Sequence, residues 1–322
     1  MKLLVTGGLG FIGSNFIRYW FKNHSNDTII NIDKVTYAAD FHNLEGIESK
    51  YDYEFVKGDI ADKETVLKVA KDADVIINFA AETHVDNSIK NAEDFVKSNV
   101  LGVYNLLEAV RKYNIRFHQV STDEVYGMLP LNSHAKFTED SKYAPRNPYS
   151  ATKAAADHLV NAYFNTYKLP VTISNCSNNY GPYQHPEKLI PKTIINALLN
   201  KPISVYGNGM QVRDWIYVED HCSALERILL KGEYGQTYLI SANQEKHNIE
   251  VVKAILQILE KDEKLIEFVE DRPGHDVRYA IDARKIIKEL GWKPKTKFDE
   301  GLRLTINHYV ENFEYYRKKV DM

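Results

Sequence analysis

The chain has 322 residues, 44% hydrophobic and 26% charged, with Lys+Arg 41 against Asp+Glu 44 for a net charge of −3. Such ordinary globular usage excludes a disordered or collagen-like chain. The near-zero net charge gives no long-range attraction to nucleic acid or anionic membrane, so a phosphate would have to be held by a local site.

The first 175 or so residues alternate short apolar runs with longer helical patterns. The predicted strands are Lys2–Thr6, Thr28–Asp33, Tyr53–Lys57, Val75–Phe79, Phe117–Ser121 and Val171–Cys176. The predicted helices are Phe11–Asn23, Lys63–Lys71, Ala92–Tyr113 and Tyr149–Tyr167. Strand–helix–strand alternation predicts an α/β fold with a doubly wound (Rossmann) parallel sheet, whose ligands sit at the carboxyl ends of its strands. Beyond Cys176 the texture changes: Pro182, Pro186 and Pro191 punctuate a loop-rich stretch, and Gly207-Asn208-Gly209 reads as a tight turn. Trp215–Val218 and Tyr238–Ser241 are predicted to return to the large sheet around a Cys222–Leu230 helix. The expected organisation is a cofactor domain over 1–182, with 214–243 returning to it, and a smaller, discontinuous α/β substrate-binding domain over 183–213 plus 244–322. The tail Tyr315–Lys319 reads as a solvated helix end.

Two cysteines, Cys176 and Cys222, cannot build a disulfide framework in a chain this long and suit a reducing compartment. Met1–Thr6 runs into glycines without the apolar segment of a signal peptide, and no apolar run approaches ~18 residues. The expectation is a cytoplasmic protein with no membrane and no nucleic-acid partner. No His, Cys, Asp and Glu cluster has metal-ligand spacing, so no metal is expected.

Thr6-Gly7-Gly8-Leu9-Gly10-Phe11-Ile12-Gly13 follows the first strand and opens the first helix. Glycines there permit a tight turn, let a pyrophosphate reach the backbone, and let helix and strand pack closely; the anion sits on free N–H groups at a helix N-terminus. Asp33 ends the second strand twenty residues past Gly13, where a carboxylate accepts from ribose hydroxyls and repels a 2′-phosphate, favouring NAD over NADP. Lys34 beside it works the other way. Gly58-Asp59-Ile60 is a candidate adenine-side loop, and Ala80-Ala81 after the fourth strand lets a cofactor lie close.

Tyr149 and Lys153, four apart at a helix start, project from one face. Tyr53/Lys57 and Tyr315/Lys319 share that spacing, and position after the fifth strand's loop selects the Tyr149 pair. Lowering a Tyr pKa from about 10 to near 7 requires roughly 4 kcal/mol, the order that one ammonium about 4 Å away supplies at an effective dielectric near 20. Thr122-Asp123-Glu124 follows at the carboxyl end of the fifth strand. Adjacent carboxylates there suit a general acid and a general base, which an elimination needs and a hydride transfer alone does not.

With Pro148–Lys153, Asn178-Asn179-Tyr180-Gly181-Pro182, Pro186–Pro191, Val212-Arg213-Asp214-Trp215 and Asp271-Arg272-Pro273-Gly274-His275-Asp276, these segments make the chain resemble the extended short-chain dehydrogenase/reductases, and within them the dTDP-glucose 4,6-dehydratases. The resemblance spans Lys2 to about Trp292. It implies a nucleotide-sugar hydro-lyase: Tyr149, aided by Lys153, takes the C4 hydroxyl proton while NAD takes the C4 hydride, Thr122 bonds the C4 oxygen, Glu124 removes the C5 proton, Asp123 protonates the departing C6 hydroxyl, and hydride returns to C6. It further implies cofactor contacts from Gly7, Gly10, Phe11, Ile12, Gly13, Asp33, Lys34, Thr36, Asp59, Ile60, Ala80, Ala81, Thr83, Asn99, Tyr149, Lys153 and Asn179. Substrate contacts are implied for His84, Thr122, Asn178, Lys188, Leu189, Tyr206, Arg213, Asn248, Arg272 and His275. A homodimer pairing the Ala92–Tyr113 and Tyr149–Tyr167 helices is implied as well. The chain departs from the family pattern at Leu9 and at Ala39-Asp40. Alternatives left open are another nucleotide-sugar dehydratase or an epimerase acting on a UDP-sugar, and a non-catalytic NAD-binding scaffold.

Overall fold

The computed structural model describes residues 1–271 and 274–320. Its strands in chain order are β1 (Lys2–Thr6), β2 (Thr28–Asp33), β3 (Tyr53–Lys57), β4 (Val75–Asn78), β5 (Arg116–Thr122), β6 (Val171–Cys176), β7 (Asn178–Tyr180), β8 (Ile203–Tyr206), β9 (Val212–Tyr217), β10 (Thr237–Ile240), β11 (Glu245–His247) and β12 (Ile266–Val269). Seven of them form one sheet in the order β10-β6-β5-β4-β1-β2-β3, every pair parallel. The order reverses direction at β1, between β2 and β4, which opens a crevice at the carboxyl ends of β1 and β4.

Leu3, Leu4 and Val5 are fully buried along β1, as a parallel strand covered on both faces requires. One face is closed by Phe16 and Trp20 of the Phe11–Asn23 helix with Leu225 and Ile228 of the Val218–Lys231 helix. The other is closed by Leu106 and Val110 of the Gly102–Tyr113 helix and Val160 of the Pro148–Tyr167 helix. A third core, holding Tyr180, Ile194, Trp215, Phe298 and Leu302, lies outside the large sheet. Among the described residues, no helix is long and apolar enough to cross a membrane.

Three expectations need correction. The Trp215–Val218 segment does not return to the large sheet. It belongs to β9, which pairs in parallel with β7 and antiparallel with β11. The reason is that β7 leaves the end of β6 after the single residue Ser177 and offers β9 an edge outside the main sheet; β10 alone returns. The predicted Ala92–Tyr113 helix is interrupted: Val96–Leu101 is a π-turn between Glu93–Phe95 and Gly102–Tyr113. The wide turn carries Asn99 inward, where it spans the Glu82 backbone and the Thr152 hydroxyl.

The tail is not solvated either. Phe313–Val320 is a helix whose Tyr316 is 2% exposed against Tyr309, with ring centroids 4.6 Å apart. Tyr315 donates to Asp40 at 2.6 Å, Lys319 pairs with the same carboxylate, and the His42 ring stacks on Tyr315. The run of tail charges masks an aromatic stripe, and the unusual Asp40 is its anchor. Replacing Tyr316 by Ala removes a buried ring and should lower stability by about 3–5 kcal/mol, read as a drop in the urea midpoint; a change within experimental error would return the tail to solvent.

Candidate functional site

A cavity of about 330 Å³ opens at the crevice. Its cofactor-side wall is built by glycines for which no other residue could stand. Gly7 has φ +71°, and a Cβ there would lie 2.7 Å from the Ala80 backbone; at Gly13 it would lie 2.5 Å from the Gly7 carbonyl. The Phe11–Asn23 helix starts at Gly10 without a side-chain cap, leaving its first N–H groups for an anion. Asp33 secures this loop: its carboxylate accepts from Leu9 N at 3.1 Å and Val35 N at 2.8 Å. Burial raises its pKa, and those two bonds with Lys34 oppose the rise. Lys34 faces Asp59 at 3.6 Å and Glu82 at 3.9 Å, and donates to Ser98.

The wall then passes from Thr36 through Asp59 and Ile60 to Ala80, Ala81 and Thr83, all on the cavity surface, as are Gly7, Gly10, Phe11, Ile12 and Gly13. These residues fit a dinucleotide: a side-chain-free cradle for a pyrophosphate, a buried carboxylate at the end of β2, and small residues beyond β4. Asn99 lies one layer behind, as the strut joining Glu82 to the Pro148–Tyr167 helix.

At the other end β5 delivers Thr122, Asp123 and Glu124 to the cavity, opposite Tyr149 and Lys153. Thr122 caps the Asp123–Tyr126 turn by accepting from Glu124 N at 3.3 Å, so both carboxylates leave the strand end on one tight turn. Asn147 and Ser150 form a capping box that starts the Pro148–Tyr167 helix, fixing Tyr149 in its first turn. Asp123 is 2% exposed and its Oδ2 has no hydrogen-bond partner among the described residues. Burial holds its carboxyl well above the usual range, Glu124 and Asp214 add to that, and Arg213 opposes it. A carboxyl raised in this way holds its proton to higher pH than an exposed Asp does, which suits it to act as an acid.

Tyr149 departs from the expected direction. Burial, followed by the charge of Glu124, pushes its pKa well above 10, and the Thr122 hydroxyl works the other way. The argument from one neighbouring ammonium left desolvation out. Lys153 is itself buried, which lowers its pKa, and its ammonium donates to the Val120 carbonyl at 2.8 Å.

On the far side Asn178, Asn179 and Lys188 line the cavity. Asn179 Oδ1 accepts from His221 Nδ1 at 2.8 Å, and its amide nitrogen donates to the Ser177 carbonyl. Lys188 precedes Leu189 at the start of the Leu189–Leu198 helix. His84 lies off the cavity and faces Glu187 at 3.6 Å, which does line it. Tyr206, Arg213, Asn248 and His275 gather around the β8–β9 turn. The Tyr206 and His275 rings are 6.1 Å apart, Asn248 N donates to Gln211 O, and Arg213 donates to the carbonyls of Val212 and Asp276. Arg272 lies outside the described residues.

Sequence reasoning missed Glu82, Ser98, Gln184, His185 and Glu187 on the cavity wall. It also missed Tyr279, whose ring lies 4.4 Å under the Arg213 guanidinium and whose hydroxyl donates to Asp276 and stands 3.5 Å from Glu124 Oε2. Tyr279 falls three residues beyond the last motif used; nothing in its spacing marks it.

Residues 4–305 match a family model described as GDP-mannose 4,6 dehydratase. The dTDP-glucose 4,6-dehydratase of Mycobacterium tuberculosis is 48% identical over 322 residues, covering 100% of this chain and 97% of the relative. Among solved structures, a dTDP-glucose 4,6-dehydratase from Bacillus anthracis in complex with NAD superposes with a TM-score of 0.93 at 48% identity, covering 99% of both chains. One from Streptomyces venezuelae, also with NAD bound, gives 0.96 at 40% identity over 99% of this chain and 100% of the other.

Substituting Gly7 by Ala should abolish retention of a dinucleotide, because the added Cβ meets backbone and the positive φ is lost. Isothermal titration with NAD, beside circular dichroism showing a folded protein, measures this; undiminished affinity would contradict the cradle.

Proposed function

The chain belongs to the family described as GDP-mannose 4,6 dehydratase and, at 48% identity across its whole length, to the dTDP-glucose 4,6-dehydratases within it, and from that premise we propose that it dehydrates dTDP-glucose to dTDP-4-keto-6-deoxyglucose. The observation that carries the reading is that Asp123, Glu124 and Tyr149 line the same cavity, with the Asp123 carboxyl raised by burial. An epimerase on this scaffold would have no use for that acid, and a scaffold protein none for the pair.

The residues fitting NAD are Gly7 to Gly13, Asp33, Lys34, Thr36, Asp59, Ile60, Ala80, Ala81, Thr83, Asn179, Tyr149 and Lys153, with Asn99 supporting them from behind. When bound, NAD supplies the hydride acceptor for sugar C4 and then the donor for C6. Tyr149 takes the proton of the C4 hydroxyl, and Thr122 holds the C4 oxygen. The resulting ketone acidifies C5–H, which Glu124 removes. Asp123 gives its proton to the C6 hydroxyl, so that water leaves rather than hydroxide. Arg213 and Arg272 meet the diphosphate, for which a guanidinium fork is the matching donor, while His84, Asn178, Lys188, Leu189, Tyr206, Asn248 and His275 shape the rest of the nucleotide-sugar site. The cofactor side would comprise 1–182 with the later return to the sheet, and the nucleotide side 183–213 plus 244–322.

A homodimer belongs to the same reading. Val96, Leu101 and Tyr104 are exposed on the stretch leading into the Gly102–Tyr113 helix, and Tyr167 at the end of the Pro148–Tyr167 helix. A cytoplasmic location is supported by Cys176 and Cys222, both buried thiols without a disulfide.

Purified protein given dTDP-glucose should form a base-labile 4-keto product absorbing in the near ultraviolet, without added reductant, and label at C4 should reappear at C6. Unchanged sugar with a folded, NAD-loaded protein would refute the assignment; a faster reaction with a UDP-, GDP- or CDP-sugar would reassign the nucleotide. Glu124→Gln should retain C4 oxidation while water loss falls about 10²–10⁴-fold, seen as persistent absorbance of the reduced cofactor. Equal loss of both steps would show the role is misassigned. Because Asp123 must carry its proton, kcat should decline as pH climbs through its raised pKa, and Asp123→Asn should erase this basic limb.

A further inference from the structure

Behind the catalytic helix lies a charged group that the chemistry above does not use. Asp157 sits one turn beyond Lys153 on the Pro148–Tyr167 helix and is fully buried. Its Oδ2 accepts from Ser121 Oγ at 2.7 Å, Tyr143 OH at 3.1 Å and Asn175 Nδ2 at 3.1 Å; its Oδ1 has no hydrogen-bond partner among the described residues. Asn175 also donates to the Thr122 carbonyl at 3.2 Å. Consecutive residues of β5 therefore hold two buried side chains that stand one helical turn apart: Val120 O accepts from the Lys153 ammonium, and Ser121 Oγ donates to the Asp157 carboxylate. Burial raises the Asp157 carboxyl, and the Lys153 charge together with the Ser121, Asn175 and Tyr143 donors opposes that rise and favours its charged form.

We propose that Asp157 is a positioning residue that decides which member of the Tyr149–Lys153 pair keeps the proton the two compete for, holding it on Lys153. The proposal rests on the reading that Tyr149 acts as the base. Two arrangements of the pair carry the same number of protons: phenolate with ammonium, and phenol with neutral amine. Only the first removes a proton from the sugar. Burial works against both of its charges, raising Tyr149 and lowering Lys153. Asp157, on the Lys153 side, favours the first arrangement, because an anion there stabilises the ammonium more than it opposes the more distant phenolate. The other ionisable groups facing the pair are Tyr143 from the loop before the helix, Tyr126 from the turn after β5, Cys176 from β6, and Asp123 and Glu124 across the cavity.

Since both arrangements hold equal protons, their ratio does not depend on pH. That yields a signature a merely structural residue would not give. In Asp157→Asn, the single-turnover plateau for C4 oxidation should fall about 10- to 100-fold, by a constant factor over the pH range in which the pair holds one proton. Its acid limb should move to lower pH, because loss of the anion lets the pair give up its first proton more easily, from the wrong group. KM for dTDP-glucose should stay within about twofold, the residue lying away from the sugar. Independently of turnover, the side-chain signal of ¹³C-labelled Lys153 should titrate at lower pH in Asp157→Asn than in the parent protein, and Asp157→Glu should restore it. If Asp157→Asn does not fold, Tyr143→Phe, which removes one donor from the carboxylate, should shift the Lys153 titration the same way by less. An unmoved Lys153 titration in a folded variant, or an unchanged plateau for C4 oxidation, would overturn the proposal. Failure of the parent protein to oxidise any nucleotide sugar would sink the functional reading instead, leaving the titration to decide the role of Asp157.

Discussion

The site depends on desolvation at the carboxyl end of β5. That strand drives Ser121 to Glu124 into a region that water reaches poorly, and burial displaces Asp123, Tyr149 and Lys153 from their solution behaviour. Asp123 and Tyr149 are pushed up, and Lys153 is pushed down. An isolated charge in such a place is unfavourable by several kcal/mol, so the groups are stable only in the company the fold provides. The same condition makes chemistry available. A carboxyl raised by burial keeps its proton to higher pH than an exposed Asp, and it stands next in sequence to a second carboxylate whose surroundings differ.

The topology decides which surroundings those are. Because β7 departs from β6 after one residue, β9 is drawn out of the large sheet into a small one with β11. This carries Arg213 over the ring of Tyr279, and the Tyr279 hydroxyl reaches both Asp276 and Glu124. The guanidinium that suits a diphosphate is thereby linked through one aromatic residue to the turn that carries the two carboxylates. The misplaced strand in the sequence reading is for this reason more than a detail of pairing. Had Trp215–Val218 returned to the main sheet, Arg213 would have no reason to approach the catalytic turn.

What could be read from the chain beforehand follows a physical division. Strands β1, β2, β3 and β6 were legible to the residue, since each is a short run rich in β-branched, aliphatic or aromatic residues. The glycine loop, Asp33, Thr122 to Glu124 and the Tyr149–Lys153 pair were legible because each is local, with its chemistry declared by spacing. Tyr279, Glu187 and Asp157 were not, since their importance arises from partners 155, 150 and 36 positions away in sequence respectively. The segment Met128–Phe137, opaque in sequence, makes its bonds to residues 278–282: Leu129 N donates to Arg278 O and Phe137 N to Ala280 O. The tail failed for a different reason: charge counting described the exposed Arg317 and Lys318 and hid both the buried face of Tyr316 and the pairing of Lys319 with Asp40.

Asp33 and Lys34 show how such a local reading can be right and still incomplete. Spacing assigns Asp33 to the ribose hydroxyls, and leaves Lys34 as an argument for a phosphorylated cofactor. In the fold Asp33 already accepts from Leu9 and Val35, so it first shapes the glycine loop and presents its remaining lone pairs to a ligand. Lys34 is turned toward Asp59 and Glu82, two carboxylates that compete with any 2′-phosphate for its charge. A phosphate at that position would meet the buried Asp33 anion on one side and a lysine already neutralised on the other. The discrimination between NAD and its phosphorylated form thus belongs to four charged residues from three separate loops, only one of which the motif names.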